Sequence, residues 1–234
     1  MSRGVVVTRP AGQGEPLAAR LVDSGHRAWA VPALAIEPLP LAGAHRRLLF
    51  DLDLYHAVFF VSANAAHHAL NVFADLWPQW PVEVHWLAVG ESTAAVIRDA
   101  GLPPEYPRSG FNSEAVLALP CLASVAEKRI LICRGDSGRD WLAARLREKG
   151  ASVDVVPFYR RLPAPGRHWP EGADTVMITS IEGWRAMTAL VPAGATVIAA
   201  GERVAAAVAE RHPGPLVVAA SAHDTDMLAA VPPS

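Results

Sequence analysis

The sequence predicts an α/β protein of doubly wound parallel sheets, flavodoxin-like or of a related strand order. Two observations predict it: short apolar runs alternate with longer amphipathic stretches, and the chain repeats itself. The apolar runs are residues 5–8, 57–61, 86–89, 130–133, 153–156, 176–179, 197–200 and 216–219. They are four or five residues long and mostly β-branched or aliphatic, as strands buried on both faces require. Helical patterns follow at about 16–24, 64–76, 92–100, 138–149, 182–190 and 202–211. Pro16 suits the first turn of its helix, and Gly25 and Gly150 are placed as C-terminal stops. Strands that alternate with helices imply parallel pairing through right-handed crossovers.

The repeat is strongest between VVVTRPAGQGEPLAARLVDSGHRAWAVP (5–32) and ILICRGDSGRDWLAARLREKGASVDVVP (130–157). Arg9 falls on Arg134, LAARL on LAARL and Gly25 on Gly150, a constant offset of 125. Later segments match more loosely: Ser62 on Ser180, Gly90-Glu91 on Gly201-Glu202, and SGFNSEAVLAL on SAHDTDMLAAV. Two tandem copies of one unit of about 110–120 residues account for this. Proline-rich stretches at 32–40 and 162–170 come directly after the matched segment in each copy. Proline keeps such segments extended, so both read as crossings between domains. Two crossings would make one domain discontinuous, with the first strands completing a sheet that resumes near residue 172. Two continuous halves cut near residue 123 fit the same pattern.

Composition narrows the function. The chain of 234 residues is 51% hydrophobic and 19% charged, enough for one large domain or two of about 100 residues. Net charge is −2 with no basic block, which argues against nucleic acid as a partner. No apolar run approaches the roughly 18–20 residues that span a bilayer. The opening MSRGVVVTRPAGQGEP reads as strand and turn, not as a signal peptide, so the expected location is cytoplasmic and off the membrane. Cys121 and Cys133 form no CxxC pair, and the nine histidines include no HExxH. No metal and no cofactor are expected. Gly12-Gln13-Gly14 begins like a dinucleotide loop, but Leu17 stands at the third glycine position. No Gly-Lys-Ser/Thr and no GxSxG elbow occur either, so nucleotide and serine-hydrolase chemistry lose support.

In open α/β sheets ligands bind at the carboxyl ends of strands, where helix N-termini present free N–H groups. The turns there are Thr8-Arg9-Pro10, Ser62-Ala63-Asn64, Gly90-Glu91-Ser92-Thr93, Arg134-Gly135-Asp136-Ser137, Thr179-Ser180 and Gly201-Glu202-Arg203. N–H donors combined with arginines suit a ligand that carries several carboxylates or phosphates. Each Ser, Thr or Asn taken singly is also an ordinary helix cap. Tyr159, in Phe158-Tyr159-Arg160-Arg161, begins the second crossing; its phenol facing an interdomain cleft would be a proton donor, or else a hinge ring with a wet hydroxyl.

These motifs, together with FFVSANAA, LAVGESTAA and above all ILICRGDSGRDWLAARLREKGASVDVVPFYRR, resemble bacterial uroporphyrinogen-III synthases in order and spacing from about residue 5 to 212. The resemblance implies two flavodoxin-like doubly wound parallel-sheet domains joined by a two-stranded linker, the first domain discontinuous. Residues 1–36 with 168–234 would form that domain, 42–158 the inserted one, and 37–41 and 159–167 the linkers. It implies a monomer without metal or organic cofactor that acts on hydroxymethylbilane, a linear tetrapyrrole, with hydroxymethylbilane synthase as a transient partner. The implied reaction closes the ring with loss of water and inversion of the last pyrrole, in the cleft between domains. Arg9, Ser62, Asn64, Thr93, Arg134, Arg139 and Ser180 match motif positions near that cleft, and Tyr159 matches the tyrosine assigned to loss of the substrate hydroxyl. Many relatives carry Gly-x-Thr where this chain has Gly201-Glu202-Arg203. The rival readings are a non-catalytic binding protein that closes on an anion, a glycosyltransferase and a regulatory module; the isomer formed from hydroxymethylbilane separates them.

Overall fold

The computed structural model describes residues 2–110 and 112–232, so Phe111 of the looser repeat match and residues 1, 233 and 234 of the predicted first domain lie outside it. The elements run β1 (Gly4–Val7), α1 (Glu15–Asp23), β2 (Arg27–Ala30), β3 (Leu34–Pro38), α2 (Gly43–Leu49), β4 (Ala57–Phe60), α3 (Ala63–Leu76), β5 (His85–Ala88), α4 (Glu91–Asp99) and β6 (Pro104–Glu105). They continue with α5 (Ser113–Leu117), β7 (Arg129–Gly135), α6 (Trp141–Glu148), β8 (Ser152–Pro163), β9 (Thr175–Ile178), α7 (Ile181–Met187), β10 (Thr196–Ala200), α8 (Glu202–Ala209), β11 (Leu216–Ala219) and α9 (Asp224–Ala229). Short 3₁₀ turns lie at Leu52–Leu54 and Pro120–Leu122.

The strands form two sheets, in the orders β2-β1-β9-β10-β11 and β3-β8-β7-β4-β5-β6. The first is the flavodoxin order, parallel throughout, with its first two strands drawn from the start of the chain and its last three from the end. In the second, β8-β7-β4-β5-β6 is the same order with the chain entering at the third position. The first sheet thus takes two strands from the first copy of the repeat and three from the second, and the second sheet takes four from the first copy, β3 included, and two from the second. Two compact units result: residues up to Ala35 together with those from Leu162 on (unit 1), and Ile36–Arg161 (unit 2). Both boundaries fall inside the paired strands β3 and β8.

Alternation explains why the strands read as continuous apolar runs. Val6, Val176, Ile178, Val197 and Ala199 face one core of unit 1, under α7 and α8, while Val5, Val7, Met177 and Ile198 face the other, under α1 and α9. In unit 2, Val58, Phe60, Trp86, Leu131 and Cys133 pack against α3 and α4; Ala57, Phe59, Leu87, Ile130 and Ile132 pack against α5 and α6. Side chains on both faces of these strands are removed from water, so no polar residue interrupts their runs; Asp154 on β8, half-buried, is the exception.

The departures from expectation have local causes. The stretch 32–40 is a paired strand over Leu34–Pro38; it sits at the sheet edge, where proline's missing N–H is tolerated. The helix predicted from 138 begins at Trp141, because 136–140 is a loop with Gly138 at φ 149°. The helix predicted to 190 ends at Met187, five residues before Pro192.

At the start of unit 2's sheet, the Tyr55 hydroxyl donates to Asp154 Oδ2 at 2.6 Å and accepts from Arg129 Nη2 at 3.2 Å, with the guanidinium 4.5 Å from the ring centroid. Burial, then the hydrogen bond to the Asp154 carboxylate, pushes the phenol well above its ordinary value near 10. The folded state therefore holds this proton after the unfolded chain has lost it. The contribution is complete below about pH 10 and is lost as pH rises toward the folded value. Urea unfolding followed from pH 9 to 12 should show stability falling above about pH 10, with a shallower fall in Tyr55→Phe; superimposable slopes would exclude this group as the source.

Candidate functional site

In unit 2, β4, β7 and β8 are neighbours, and their carboxyl ends bring Ser62, Arg134 and Tyr159 to one edge of the sheet. The β7–β8 ladder pairs Arg134 with Pro157 but Gly135 with Tyr159, so Phe158 is an extra residue and the strand bulges there. Both aromatic rings at the bulge meet α3: Phe158 lies edge-on to Phe73 at 5.7 Å, and Tyr159 stacks on His68 at 5.7 Å. A β-carbon at Gly135 would lie 3.0 Å from two carbons of the Tyr159 ring, so the glycine lets the ring rest on the β7 backbone.

Tyr159 is 1% exposed, with its ring packed. Its hydroxyl lies 3.2 Å from Ser62 Oγ and accepts from Arg161 Nη2 at 3.1 Å. Ser62 is the N-cap of α3 and accepts from the Ala65 N–H at 3.1 Å. Two hydroxyls therefore share one mutual hydrogen bond and have two protons. Whichever hydroxyl donates to the other, one O–H proton remains for a third group, with a guanidinium behind the phenol oxygen. Burial is the main cause that lowers the pKa of His68 below its usual range, with the neighbouring His67 adding to it.

Ala63 and Asn64 form the first turn of α3. Gly90 is the extended N-cap of α4; Ser92 is exposed in its first turn, and Thr93 is 1% exposed with no hydrogen-bond partner for Oγ1. Arg134 is engaged by Asp140 at 2.5 Å, whereas Arg139 stands exposed in the same loop.

In unit 1 the expected groups are mostly used internally. Arg9 pairs with Asp224 at the start of α9 and donates to the Ala222 carbonyl at 2.5 Å, so it is not a free cation. Ser180 caps α7 by accepting from the Gly183 N–H at 3.0 Å. Gly201 starts α8 at φ 85°, a conformation that disfavours any side chain there. Arg203 is exposed on α8 and lines a groove with Trp184 and Arg185 of α7 and with Arg211. The loop that resembled a dinucleotide site fills itself: Glu15 accepts from the Gly12 and Gly14 N–H groups at 3.2 and 3.0 Å. Hydrogen bonds from its own N–H and that of Gly12 hold its carboxyl below the usual range.

Two residues that matter here escaped the sequence reading. Arg161 follows Tyr159 by two positions on a strand, a same-face spacing that was there to be read. His68 carried no such signal, since its partner is 91 positions away. Neither cysteine is an activated nucleophile: burial raises the Cys133 thiol, and burial with Glu105 nearby pushes Cys121 up to about 12. Among the described residues, no helix is long and apolar enough to cross a membrane.

The family model described as uroporphyrinogen-III synthase HemD matches residues 15–229. A uroporphyrinogen-III synthase of Salmonella typhimurium is 32% identical over 204 residues, 80% of each chain, and that of Proteus mirabilis is 34% identical over 159 residues, 68% of this chain and 80% of the relative. Among solved structures, a mutant uroporphyrinogen III synthase from Thermus thermophilus aligns over 97% of this chain and 96% of its own at TM-score 0.62 and 19% identity. The Helicobacter pylori uroporphyrinogen-III synthetase aligns over 97% of both at TM-score 0.61 and 16% identity, a likeness of fold. With residues 15–229 matched by the family model and two thirds or more of the chain matched by relatives above 30% identity, the chain belongs to the uroporphyrinogen-III synthase family.

Proposed function

We propose that this family member, a cyclising lyase, closes hydroxymethylbilane to uroporphyrinogen III with the Arg161–Tyr159–Ser62 chain as its proton donor. That chain carries the reading: two coupled hydroxyls with one uncommitted proton, backed by a cation at 3.1 Å. The hydroxymethyl C–O bond breaks, and the oxygen leaves as water with that proton. The pyrrole electrons then form an electrophilic azafulvene. The substituted carbon of the last ring attacks it to give a spiro intermediate, whose fragmentation and reclosure through the free α-carbon invert that ring; that carbon loses its proton on closure, which balances the proton given to the departing water. The substrate supplies the reactivity. The protein's share is to fix one geometry of a flexible polycarboxylate and to stabilise developing charge.

The first turns of α3 and α4, with Ala63, Asn64, Gly90 and Ser92, offer backbone N–H groups to substrate carboxylates, and the exposed Arg139 offers a mobile cation. The buried, unpartnered Thr93 hydroxyl beside Gly90 supports a polar role for that turn. In unit 1 the α7 and α8 turns at Ser180 and Gly201 would do the same, while Arg9 holds α9 in place. Work as a cytoplasmic monomer fed by hydroxymethylbilane synthase belongs to the same reading. Hydroxymethylbilane supplied to the purified chain should give the type III isomer; only the type I product, as forms spontaneously, would overturn the assignment.

A further inference from the structure

At the end of unit 2's sheet opposite Ser62 and Tyr159, three side chains converge that the chemistry above does not use. His85 opens β5, Glu105 closes β6, and Cys121 lies in the 3₁₀ turn Pro120–Leu122. Their ligand atoms all lie within 4.8 Å of one another, and His85 Nδ1 is 2.5 Å from Glu105 Oε1. No spacing in the sequence marks them, because sheet register and a loop bring them together. Leu87 pairs with Glu105 in parallel register, so Glu105 shares a face with Leu87, and His85, two residues earlier on β5, shares it too. Cys121 packs against the core on that face. The turn is tethered on both sides: His56 Nε2 bonds the Cys121 carbonyl at 2.8 Å, and Lys149 Nζ bonds the Leu122 carbonyl at 2.7 Å. The His56 and His85 rings meet edge to face at 4.9 Å, which limits the His85 ring's freedom.

We propose that His85, Glu105 and Cys121 bind one divalent transition-metal ion, with Zn²⁺ the ion that suits them. A thiolate, an imidazole and a carboxylate are the donors zinc takes in proteins, and bonds of about 2.0–2.3 Å to a tetrahedral centre set donor atoms roughly 3.3–3.8 Å apart. The His85–Glu105 contact must open by about an ångström and the thiol close in, within the reach of side-chain rotation. On binding, the Cys121 proton leaves to solvent and the His85 proton resides on Nε2. Thiolate and carboxylate then balance the ion's two charges. Water completes the coordination from the adjoining cavity of about 500 Å³, lined by Glu105, Tyr106, Arg108 and Pro120. His85 lies five residues before Gly90, about 15 Å along the chain at strand spacing, so the ion would brace the edge strand β6 and take no part in ring closure.

Co²⁺ titration of the reduced, metal-free full chain tests this. The expected result is 1:1 binding with a thiolate-to-cobalt charge-transfer band and intense four-coordinate ligand-field bands, both displaced by Zn²⁺. Cys121→Ser should abolish the charge-transfer band, and His85→Ala should weaken binding at least about 10-fold. Circular dichroism would verify that both variants fold. Stoichiometric Co²⁺ giving no thiolate band in the wild-type chain overturns the proposal, as does a band that survives Cys121→Ser.

Discussion

Tyr159→Phe should lower kcat by about 10- to 100-fold while moving KM little, within the usual contribution of a general acid or below it. The substitution removes one oxygen and leaves the ring, which His68 and the Gly135 backbone hold independently of the hydroxyl. Fold and carboxylate binding should therefore persist. What disappears is the link between the Arg161 guanidinium and Ser62 Oγ. Ser62 keeps its proton but loses the cation-backed partner, so the departing oxygen can still be protonated, more slowly. Spontaneous closure then competes with the enzyme, and the product mixture should shift toward type I at low enzyme concentration. Ser62→Ala is the informative companion. It breaks the same link but also uncaps α3, with about 1 kcal/mol of stability lost in addition. Single-turnover rates with hydroxymethylbilane decide the matter: a Tyr159→Phe rate equal to wild type removes the phenol from the mechanism.

The sequence disclosed most where burial on two faces left an uninterrupted signal. Each of the eight apolar runs coincides with a strand to within a residue or two, except that 153–156 continues as β8 to Pro163. β2 had no apolar run of its own, yet the repeat places 153–156 on 28–31, and β2 spans Arg27–Ala30. β6, two residues long, offers no periodicity at all, and β3 was masked by prolines that an edge position permits. Strand partners were harder to read. A repeat shows which segments are equivalent, not which copy each pairs with, so the exchange of β1–α1–β2 between sheets came from family resemblance.

The candidate site divides along similar lines. Ser62 and Ser180 are helix caps, and Ser62 is a link in the hydroxyl chain as well. Arg134 meets Asp140 six residues away, a pairing within sight of the sequence; Arg9 meets Asp224 across 215 positions, which only the folded chain shows.

A second large effect should follow from Phe73→Ala: a loss of about 3–5 kcal/mol in the unfolding free energy of unit 2, the range for large aromatic-to-alanine changes in a packed core. Phe73 is wholly buried on α3, with Phe60 of β4 at 6.3 Å and Phe158 of the β8 bulge at 5.7 Å. Neither neighbour can easily fill the void. Phe60 is stacked on Trp86, and Phe158 is fixed by backbone bonds on either side of the bulge, among them Asp136 N–H to the Tyr159 carbonyl at 2.8 Å. The same bond predicts how the variant divides stability from catalysis. The hydroxyl chain hangs from the β7–β8 backbone and from the first turn of α3, not from the ring beneath it. At a temperature where Phe73→Ala remains folded, its kcat should therefore fall less than that of Tyr159→Phe. Urea unfolding and single-turnover kinetics on the two variants check both halves. A stability loss below about 1 kcal/mol would mean that the α3–bulge contact is not tightly packed. A kcat as low as that of Tyr159→Phe would mean that the ring, and not the backbone, positions the phenol.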